Sequence, residues 1–402
     1  MVKVASLFSQ MLHHFPRHEF AALVKKHNAE ANAKGFTCWN QFVAMLFSQL
    51  AHVDSLRTIC NGLKCCLGKL VHLGVNKAPN KSILSYANAH RPAALYEDLF
   101  YAAYSYFFNQ GGFGHRKTRF RFKNKLLSLD STTISLCLNL FPWAEFRRAK
   151  GGVKVHVLLD HDHYMPAFVL ISTAKQHDVR AARILKLNPG SIVAMDKAYN
   201  DYILFARWTS QGIFFVTRMK ENAVYKVIKK IPLPQNRNIL ADEIIKLVGA
   251  RAEDKCPYQL RRVVVWDELN QREIVLLSNH LHFGATTIAA IYKDRWEIEL
   301  FFKALKQTLK VKTFVGTTEN ALRIQIWTAL IAMLILKWLH HISKANWSFS
   351  NMADLIRLNL FTYRDLLQWL NDPYNTEPIV PMPEQLSLPL SGLGQARSVG
   401  RG

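Results

Sequence analysis

The hydrophobic pattern of the chain changes its period at about residue 126, and no other feature constrains the fold as strongly. Before this point, apolar residues recur at helical spacing, as from Phe42 to Leu50 and from Leu95 to Phe108. After it, short β-like runs fall at 126–137, 154–160, 166–172, 191–195 and 213–217, with helical patterns at 177–187 and 200–211. The pattern predicts an α/β fold in which helices flank a mixed sheet and an all-helical region precedes it.

The second half of the chain contains a β-like interruption followed by helices. Pro232 and Pro234 open the interruption, and two strands at 258–267 and 271–278 are predicted to meet at a turn. A long helix at 286–309, further helix to about 345 and another at 350–371 are predicted next. The predicted parts are a helical region at 1–125, an α/β core at 126–232, an inserted β segment at 233–285, the rest of the core at 286–345, C-terminal helices at 346–372 and a disordered tail at 373–402.

The charge balance predicts a polyanionic partner. The chain has 52 Lys and Arg against 29 Asp and Glu, a formal net charge of +23, which is costly without such a partner. The run 115–125 contains six cations and no acid, with Phe120 and Phe122 interleaved. It is either a solvated loop or a segment that follows a phosphate backbone, and the second interpretation makes Arg119 and Arg121 candidate DNA contacts.

The front of the chain also contains a candidate helix-turn-helix. A short helix after Ser55 and a second one after Asn80 are separated by a glycine-containing link, and both residues are plausible N-caps. Lys81 opens the second helix and is a candidate DNA contact. A small helical bundle without this function would have the same pattern.

Cysteine spacing and hydropathy predict a cytoplasmic protein without a membrane partner. The six cysteines form no Cys-x-x-Cys pair, which favours buried reduced thiols. The N-terminus lacks a secretory pattern, and the apolar run 326–336 is shorter than the roughly 20 residues that a span needs. That run is predicted to be a buried helix.

Three carboxylates stand out from their surroundings. Asp130 lies within a β-like run, and Asp196 ends another, where open α/β sheets place their sites. Glu299 shares one helical stripe with Tyr292, Arg295 and Lys306, within an arc of roughly 60°. The plainer alternatives are turn or cap aspartates and a solvated helix face with a Glu299–Lys303 pair.

Two strand aspartates and a helix glutamate are a suitable ligand set for two Mg²⁺ ions. Hard cations prefer oxygen ligands, and phosphoryl transfer on DNA needs an activated attacking oxygen and a stabilised leaving oxygen. Mn²⁺ could substitute. Nearby cations would hold the remaining phosphates.

These residues resemble a known family. The spacing Tyr292-x2-Arg295-x3-Glu299-x6-Lys306 is similar to the Tyr-Arg-Glu-Lys signature of the IS-four family of insertion-sequence transposases. Blocks at 129–133, 154–160 and 196–199 agree with it, and the resemblance covers roughly 125–345. The helical front resembles the N-terminal domain of one branch of that family.

The resemblance implies a DDE transposase with an RNase H-like core and a metal-binding triad of Asp130, Asp196 and Glu299. It further implies cut-and-paste transposition through a DNA hairpin, by a homodimer on paired terminal inverted repeats, with strand transfer into target DNA. The implied contacts to the cleaved end are Tyr292, Arg295, Lys306 and Arg218 with its neighbour Lys220, while Trp296 would stack on a flipped base.

The sequence departs from the family at two positions, and both concern how the cleaved DNA end would be held and processed. Lys197 follows Asp196 where many relatives have Gly or Arg. Ile274 aligns with the family's Trp on the inserted segment, and the nearest Trp is Trp266.

The tail segment Gln385-Leu-Ser-Leu-Pro-Leu390 resembles the peptide by which bacterial replication proteins dock on the sliding clamp. A chance Leu/Pro segment that packs on the core is the alternative. For the whole chain, two rivals stay open: a catalytically inactive DNA-binding regulator derived from a transposase, and an RNase H-like nuclease without strand transfer. The expected location is the bacterial cytoplasm, in association with the nucleoid.

Overall fold

The computed structural model describes residues 5–31, 33–66, 69–114, 120–147, 150–175, 178–235, 237–249, 251–308 and 314–379. Arg119 and the Gln385–Leu390 segment lie outside these residues. The fold is mixed α/β, with one large sheet and helices on both of its faces.

In the described part of 5–114, all the named elements of secondary structure are helices. Ser55 and Asn80 cap their helices as predicted, accepting hydrogen bonds from the backbone N–H of Thr58 and Ile83. The first six helices are α1 Leu7–His13, α2 Arg17–Lys26, α3 Cys38–Leu50, α4 Leu56–Lys64, α5 Lys81–His90 and α6 Ala94–Asn109, and a 3-10 helix covers Lys69–Leu73.

Within the residues that the structure describes, ten strands form one continuous sheet. The strands are β1 Leu126–Leu136, β2 Glu145–Arg147, β3 Lys150–Asp160, β4 Met165–Thr173, β5 Ile192–Met195, β6 Phe214–Arg218, β7 Tyr225–Lys230, β8 Ile239–Leu247, β9 Leu260–Asp267 and β10 Arg272–Ser278. Their order is β2-β3-β1-β5-β6-β10-β9-β8-β7, and β4 also pairs with β3. The β1, β5 and β6 strands run parallel to one another, while the remaining neighbours are antiparallel.

The predicted insertion is therefore part of the sheet itself. β10 pairs directly with β6, and the meander β7–β10 extends the sheet beyond it. The sequence pattern missed β7 and β8, because β7 is an exposed edge strand of mixed Lys and apolar residues without alternation. The extension begins at Tyr225, eight residues before the predicted boundary.

Helices cover the two faces unequally. α7 Asp178–Arg183 and α8 Tyr202–Ser210 pack on one face, together with apolar residues of β1, β5 and β6. α10 Ala285–Asp294 and α11 Glu297–Thr308 pack on the other face. The remaining helices are α9 Ala252–Lys255, α12 Glu319–Ile342, α13 Phe349–Asn359 and α14 Leu366–Asn371, and 3-10 helices cover Pro142–Ala144 and Lys197–Tyr199.

Helix α12 is the centre of the helical part. It has 24 residues, of which 17 are buried, and it packs against α3, α5 and α6 from the front of the chain. The front helices, α11–α14 and one face of β1 and β3 share a single hydrophobic core. The predicted division at residue 125 does not follow this packing, because the front helices share their core with α12 and other elements that follow residue 125.

The apolar length of α12 is greater than the sequence argument assumed. Among the described residues it is the one helix long and apolar enough to cross a membrane, and 89% of its most apolar window is buried inside the protein. The run 326–336 is the central part of this longer helix, and its prediction as a buried helix is confirmed. Burial on all sides accounts for its uniformly apolar surface.

Candidate active site

Two neighbouring parallel strands bring Asp130 and Asp196 together. β1 and β5 pair in the register Leu129 with Met195, so the two aspartates occupy the next position along each strand. Adjacent strands lie about 4.8 Å apart. β5 is buried along its whole length, and Asp196 begins the turn that follows, where its carboxylate accepts a hydrogen bond from Ala198 N at 3.0 Å.

The predicted helix 286–309 is interrupted beside these aspartates. α10 ends at Asp294, and α11 begins at Glu297. Across the interruption the backbone forms i to i−3 hydrogen bonds, from Trp296 N to Lys293 O at 3.2 Å and from Glu299 N to Trp296 O at 3.0 Å. The prediction of a single helix was wrong here, because these i to i−3 hydrogen bonds replace the regular α-helical pattern between α10 and α11.

Arg295, at this interruption, connects two of the carboxylates. Its guanidinium lies 2.5 Å from Asp130 Oδ2 and 3.0 Å from Glu299 Oε1. It also lies over the Tyr292 ring, 5.6 Å from the centroid. Glu299 therefore pairs with Arg295 rather than with Lys303, which excludes the interpretation of Glu299 as part of a solvated Glu299–Lys303 face.

The carboxylates affect one another electrostatically. Burial raises the pKa of Asp130 to about 6, Arg295 opposes this shift, and Asp196 and Glu299 add to it. Burial alone would lower the pKa of Arg295, but Asp130, Tyr292 and Glu299 raise it overall. Asp130 thus shares its surroundings with both other carboxylates, and their combined negative charge exceeds what one guanidinium neutralises.

The donor set fits a hard divalent cation in its chemistry. Three carboxylates with excess negative charge are oxygen ligands of the kind that Mg²⁺ prefers. In the described part of the chain, no three His, Cys, Asp or Glu side chains are drawn together closely enough to hold a metal ion. Arg295 lies between Asp130 and Glu299, so metal binding requires this guanidinium to move.

A cavity of about 660 Å³ opens next to the carboxylates, between the β9–β10 hairpin and the α10–α11 interruption. Arg218, at the end of β6, lines it together with Tyr292, Arg295 and Trp296. The indole of Trp296 is 58% exposed. Ile274 and Trp266 also border the cavity, but Trp266 is paired with Glu273 across β9 and β10, so its side chain points to the opposite face of the sheet from Ile274.

The remaining predicted contacts lie elsewhere. Lys306, in the last turn of α11, places its Nζ 3.5 Å from the carbonyl oxygen of Thr133 on β1. Lys220 Nζ donates to Asn200 O at 3.3 Å and lines a different cavity from Arg218. Lys81 is exposed at the start of α5, and Arg121 is exposed before β1.

The aromatic residues of the basic run have a packing role. Phe120 and Phe122 stack at 4.8 Å, and Phe122 stacks on Phe283 at 5.0 Å, beside α10. These partly buried rings pack at the edge of a small core, and phosphate contacts from the exposed Arg121 stay a prediction.

Sequence reasoning assigned no role to a polar cluster behind Asp130. A set of residues here called the His156 cluster lies on the opposite face of β1, joined by hydrogen bonds and by the 3.7 Å contact of His156 Nδ1 with Asp178 Oδ1: Ser131, His156, Ser172, Asp178 and Tyr199. The blocks 129–133, 154–160 and 196–199 contained three of these residues. No sequence pattern marked Asp178 as functional, because an Asp in the first turn is also common at ordinary helix N-termini.

Comparison with known proteins agrees with this architecture. Residues 121–335 match the family described as the transposase DDE domain, and residues 3–76 match a domain of unknown function, DUF4372. A protein of Sinorhizobium fredii named as transposase y4zB is 31% identical over 293 residues, which are 72% of this chain and 80% of the relative.

Two further relatives are named for insertion sequences. A transposase for element IS5377 of Geobacillus stearothermophilus is 34% identical over 234 residues, 57% of this chain and 61% of the relative. A transposase for element IS4SA of a Synechocystis species is 28% identical over 222 residues, 54% of this chain and 60% of the relative. The family match covers more than half of the chain and includes Asp130, Asp196 and Glu299. The chain belongs to the family of insertion-sequence transposases with a DDE domain.

Proposed function

We propose that this chain cuts the ends of its own insertion sequence and joins them to target DNA, as a member of the IS-four family with the Tyr-Arg-Glu-Lys signature. The observation that carries the proposal is the shared electrostatic environment of Asp130, Asp196 and Glu299, on two parallel strands and one helix. The order β4-β3-β1-β5-β6, with three antiparallel strands followed by two parallel ones, supports an RNase H-like core.

In this proposal the three carboxylates hold two Mg²⁺ ions, for which Mn²⁺ can substitute. The ions would activate the attacking oxygen and stabilise the leaving oxygen of the DNA phosphate. Asp130 and Asp196 provide ligands from rigid strands, and Glu299 provides one from α11. Arg295 exchanges its carboxylate partners for a DNA phosphate, which its planar fork can bind with two hydrogen bonds.

The neighbouring cavity suits an unstacked base near the cut end. Flipping a base costs a few kcal/mol, and aromatic stacking can return about 1–3 kcal/mol. Trp296 is the exposed ring at its mouth, Trp266 lines it, and Arg218 supplies a cation. We infer that this cavity supports a hairpin route in which Trp296 stacks on the flipped base.

Double-stranded DNA would also contact the basic front of the chain. No Asp or Glu stands between Asp54 and Glu97, whereas six Lys and Arg do. Helix α5 exposes Lys81 and Tyr86 on this acid-free stretch. Phosphate contacts from Lys81, Arg119 and Arg121 would hold the terminal repeats, while Tyr292, Lys306 and Lys220 would act nearer the cut.

Further partners belong to the same proposal. A homodimer on paired ends would let each copy cut one end. Because the substrate is DNA, the protein would act in the cytoplasm, at the nucleoid. The segment Gln385–Leu390 would dock on the sliding clamp. A pull-down with purified clamp tests the last point, since equal binding by a chain lacking 384–390 contradicts it.

The deciding experiment is cleavage of DNA that carries the terminal repeats, with Mg²⁺, by purified full-length protein. Asp130→Asn, Asp196→Asn and Glu299→Gln each remove one ligand charge, so we expect a loss of cleavage of at least a hundredfold with end binding retained. Asp354→Asn is the matched control, because Asp354 is an exposed carboxylate on α13 that pairs with Arg357. A triad variant that still cuts at the control rate loses its place in the mechanism.

The same assay separates the alternatives. A regulator derived from a transposase binds the ends and cuts nothing, even in the unsubstituted chain. A nuclease of the same fold cuts but yields no strand-transfer product. The intact carboxylate set supports a catalytic protein over a regulator.

A further inference from the structure

The His156 cluster lies directly behind the first aspartate. Ser131 follows Asp130 on β1, so the two side chains point to opposite faces of the sheet. His156 is paired across from Ser131 on β3 and is only 1% exposed. Asp130 therefore faces the Arg295 side, while Ser131 faces the buried cluster.

Tyr199 connects this cluster to the second aspartate. It closes the 3-10 helix that Asp196 caps, three residues further along the chain. Its hydroxyl lies 3.2 Å from His156 Nδ1, and its side chain is 1% exposed. This buried hydroxyl thus joins the turn that carries Asp196 to β3, at the residue that is paired with Ser131 beside Asp130.

The donors and acceptors of His156 can be assigned consistently. Burial lowers the pKa of His156 to about 4, so the neutral ring donates through one nitrogen and accepts through the other. Ser172 Oγ lies 3.1 Å from His156 Nε2 and 3.3 Å from the Thr173 carbonyl, which can take its proton. Nε2 then donates to Ser172, and Nδ1 accepts from Tyr199.

Asp178 holds the exposed end of the cluster. It accepts hydrogen bonds from Ser131 Oγ at 3.1 Å and from Lys154 Nζ at 2.9 Å. The Ser131 hydroxyl proton is thereby used on Asp178, while the single Tyr199 proton goes to His156 Nδ1. Ser131 and His156, paired across β1 and β3, thus hold the first turn of α7 and the 3-10 helix after β5 against these two strands.

We propose that Tyr199 and His156 are positioning residues that hold Asp130 and Asp196 at the separation that metal binding and DNA cleavage require. The inference rests on the proposed function and deepens it. Ligand geometry of this kind must be held to within about 0.5 Å, by neighbours whose own rotamers are locked by packing and hydrogen bonds. The cluster supplies this support without contacting DNA or metal.

The first test is Tyr199→Phe, which removes one hydroxyl and keeps the buried ring. We expect the Mg²⁺ concentration for half-maximal cleavage to rise about tenfold and the rate at saturating DNA to fall about tenfold, in the range typical of second-layer partners of metal ligands. End binding without metal stays unchanged. The matched control is Tyr101→Phe, which removes a hydroxyl that accepts from Val169 N at 3.1 Å, between α6 and β4.

The second test uses the two nitrogens of His156 separately. An Asn amide can replace Nδ1 and keep the contact to Tyr199, whereas a Gln amide can replace Nε2 and keep the contact to Ser172. We expect His156→Asn to retain most of the metal affinity and His156→Gln to resemble Tyr199→Phe. Thermal unfolding of all variants shows whether lost stability alone explains lost activity.

The outcomes separate this inference from the proposed function. If the unsubstituted protein does not cut, or if Asp130→Asn still cuts, the proposed function fails. If those controls behave as expected and Tyr199→Phe keeps the metal dependence of Tyr101→Phe, the positioning role is overturned. It is also overturned if His156→Asn and His156→Gln lose activity equally and in proportion to their fall in unfolding temperature.

Discussion

At the scale of single residues, Arg295 decides how the carboxylates are arranged. A buried guanidinium between Asp130 and Glu299 supplies the positive charge that the three acids need. A buried pair of this kind offsets its own desolvation only when geometry and hydrogen bonding are good. In the proposed reaction the same group leaves the acids for a phosphate, so its two roles compete.

This competition predicts how Arg295→Gln responds to metal. Without the guanidinium, Mg²⁺ no longer has to displace a cation, so the variant should gain more stability from Mg²⁺ than the unsubstituted chain. A ligand at ten times its Kd adds about 1.4 kcal/mol to the free energy of unfolding. We expect the rise in unfolding temperature with Mg²⁺ to be larger in the variant by roughly 1–3 °C.

The control for that measurement is Arg323→Gln, because Arg323 pairs with Glu319 at the same four-residue separation, on α12. Its Mg²⁺ response should equal that of the unsubstituted chain. Equal responses from Arg295→Gln and the unsubstituted chain would contradict competition between Arg295 and the metal.

At the scale of elements, the sequence pattern predicted the types of most helices and strands but not every end. Alternating or wholly apolar runs identified β1, β5 and β6, since each has at least one buried face. The sequence pattern did not predict the interruption at Arg295 and Trp296, because both residues suit a continuous helix, whereas the contact of Arg295 with Asp130 on β1 joins residues far apart in sequence. The predicted stripe of Tyr292, Arg295 and Glu299 is kept in the structure because the interruption is short.

Helix α5 offers a prediction at this scale. Its exposed residues include Lys81 and Tyr86, and Tyr86 is 67% exposed and stacks on His90 at 4.0 Å. Lys81→Gln should weaken binding to end DNA about three- to tenfold and reduce the salt dependence by about one charge, measured by fluorescence anisotropy across salt concentrations. Its unfolding temperature should not change.

Lys344→Gln is the control for this experiment, since Lys344 is exposed in the loop after α12 and lies on a different element. It should leave the salt slope close to that of the unsubstituted chain. A Lys81→Gln protein with an unchanged slope would remove α5 from the DNA interface.

At the scale of the whole molecule, the front helices and α12 form one core across more than 200 residues of sequence. α3 and α6 cover α12, and the shared cluster includes Phe42, Phe100 and Trp327. Fully burying one such side chain contributes roughly 1.5–3 kcal/mol. Separating the front helices from α12 therefore exposes many of the apolar side chains whose burial stabilises both parts.

The shared core predicts that a fragment of residues 1–125 does not fold cooperatively. It would retain helical propensity but expose the surface that covers α12. We expect a broad thermal transition by circular dichroism and poorly dispersed amide signals by NMR, in contrast to a sharp transition for the full chain. Cooperative unfolding of the fragment, with dispersed signals, would establish the front as an independent domain.

The sequence by itself determined the α/β class, the helical front, the caps at Ser55 and Asn80, and the candidate carboxylates. These depend on local period, on turn chemistry and on acids placed where apolar strands end, all of which are written along the chain. The tertiary structure alone decided the pairing of Arg295 with Asp130, the continuity of β7–β10 with the core sheet, the shared helical core and the His156 cluster. Each of these depends on contacts between residues far apart in sequence, and its energy depends on geometry that no local pattern contains.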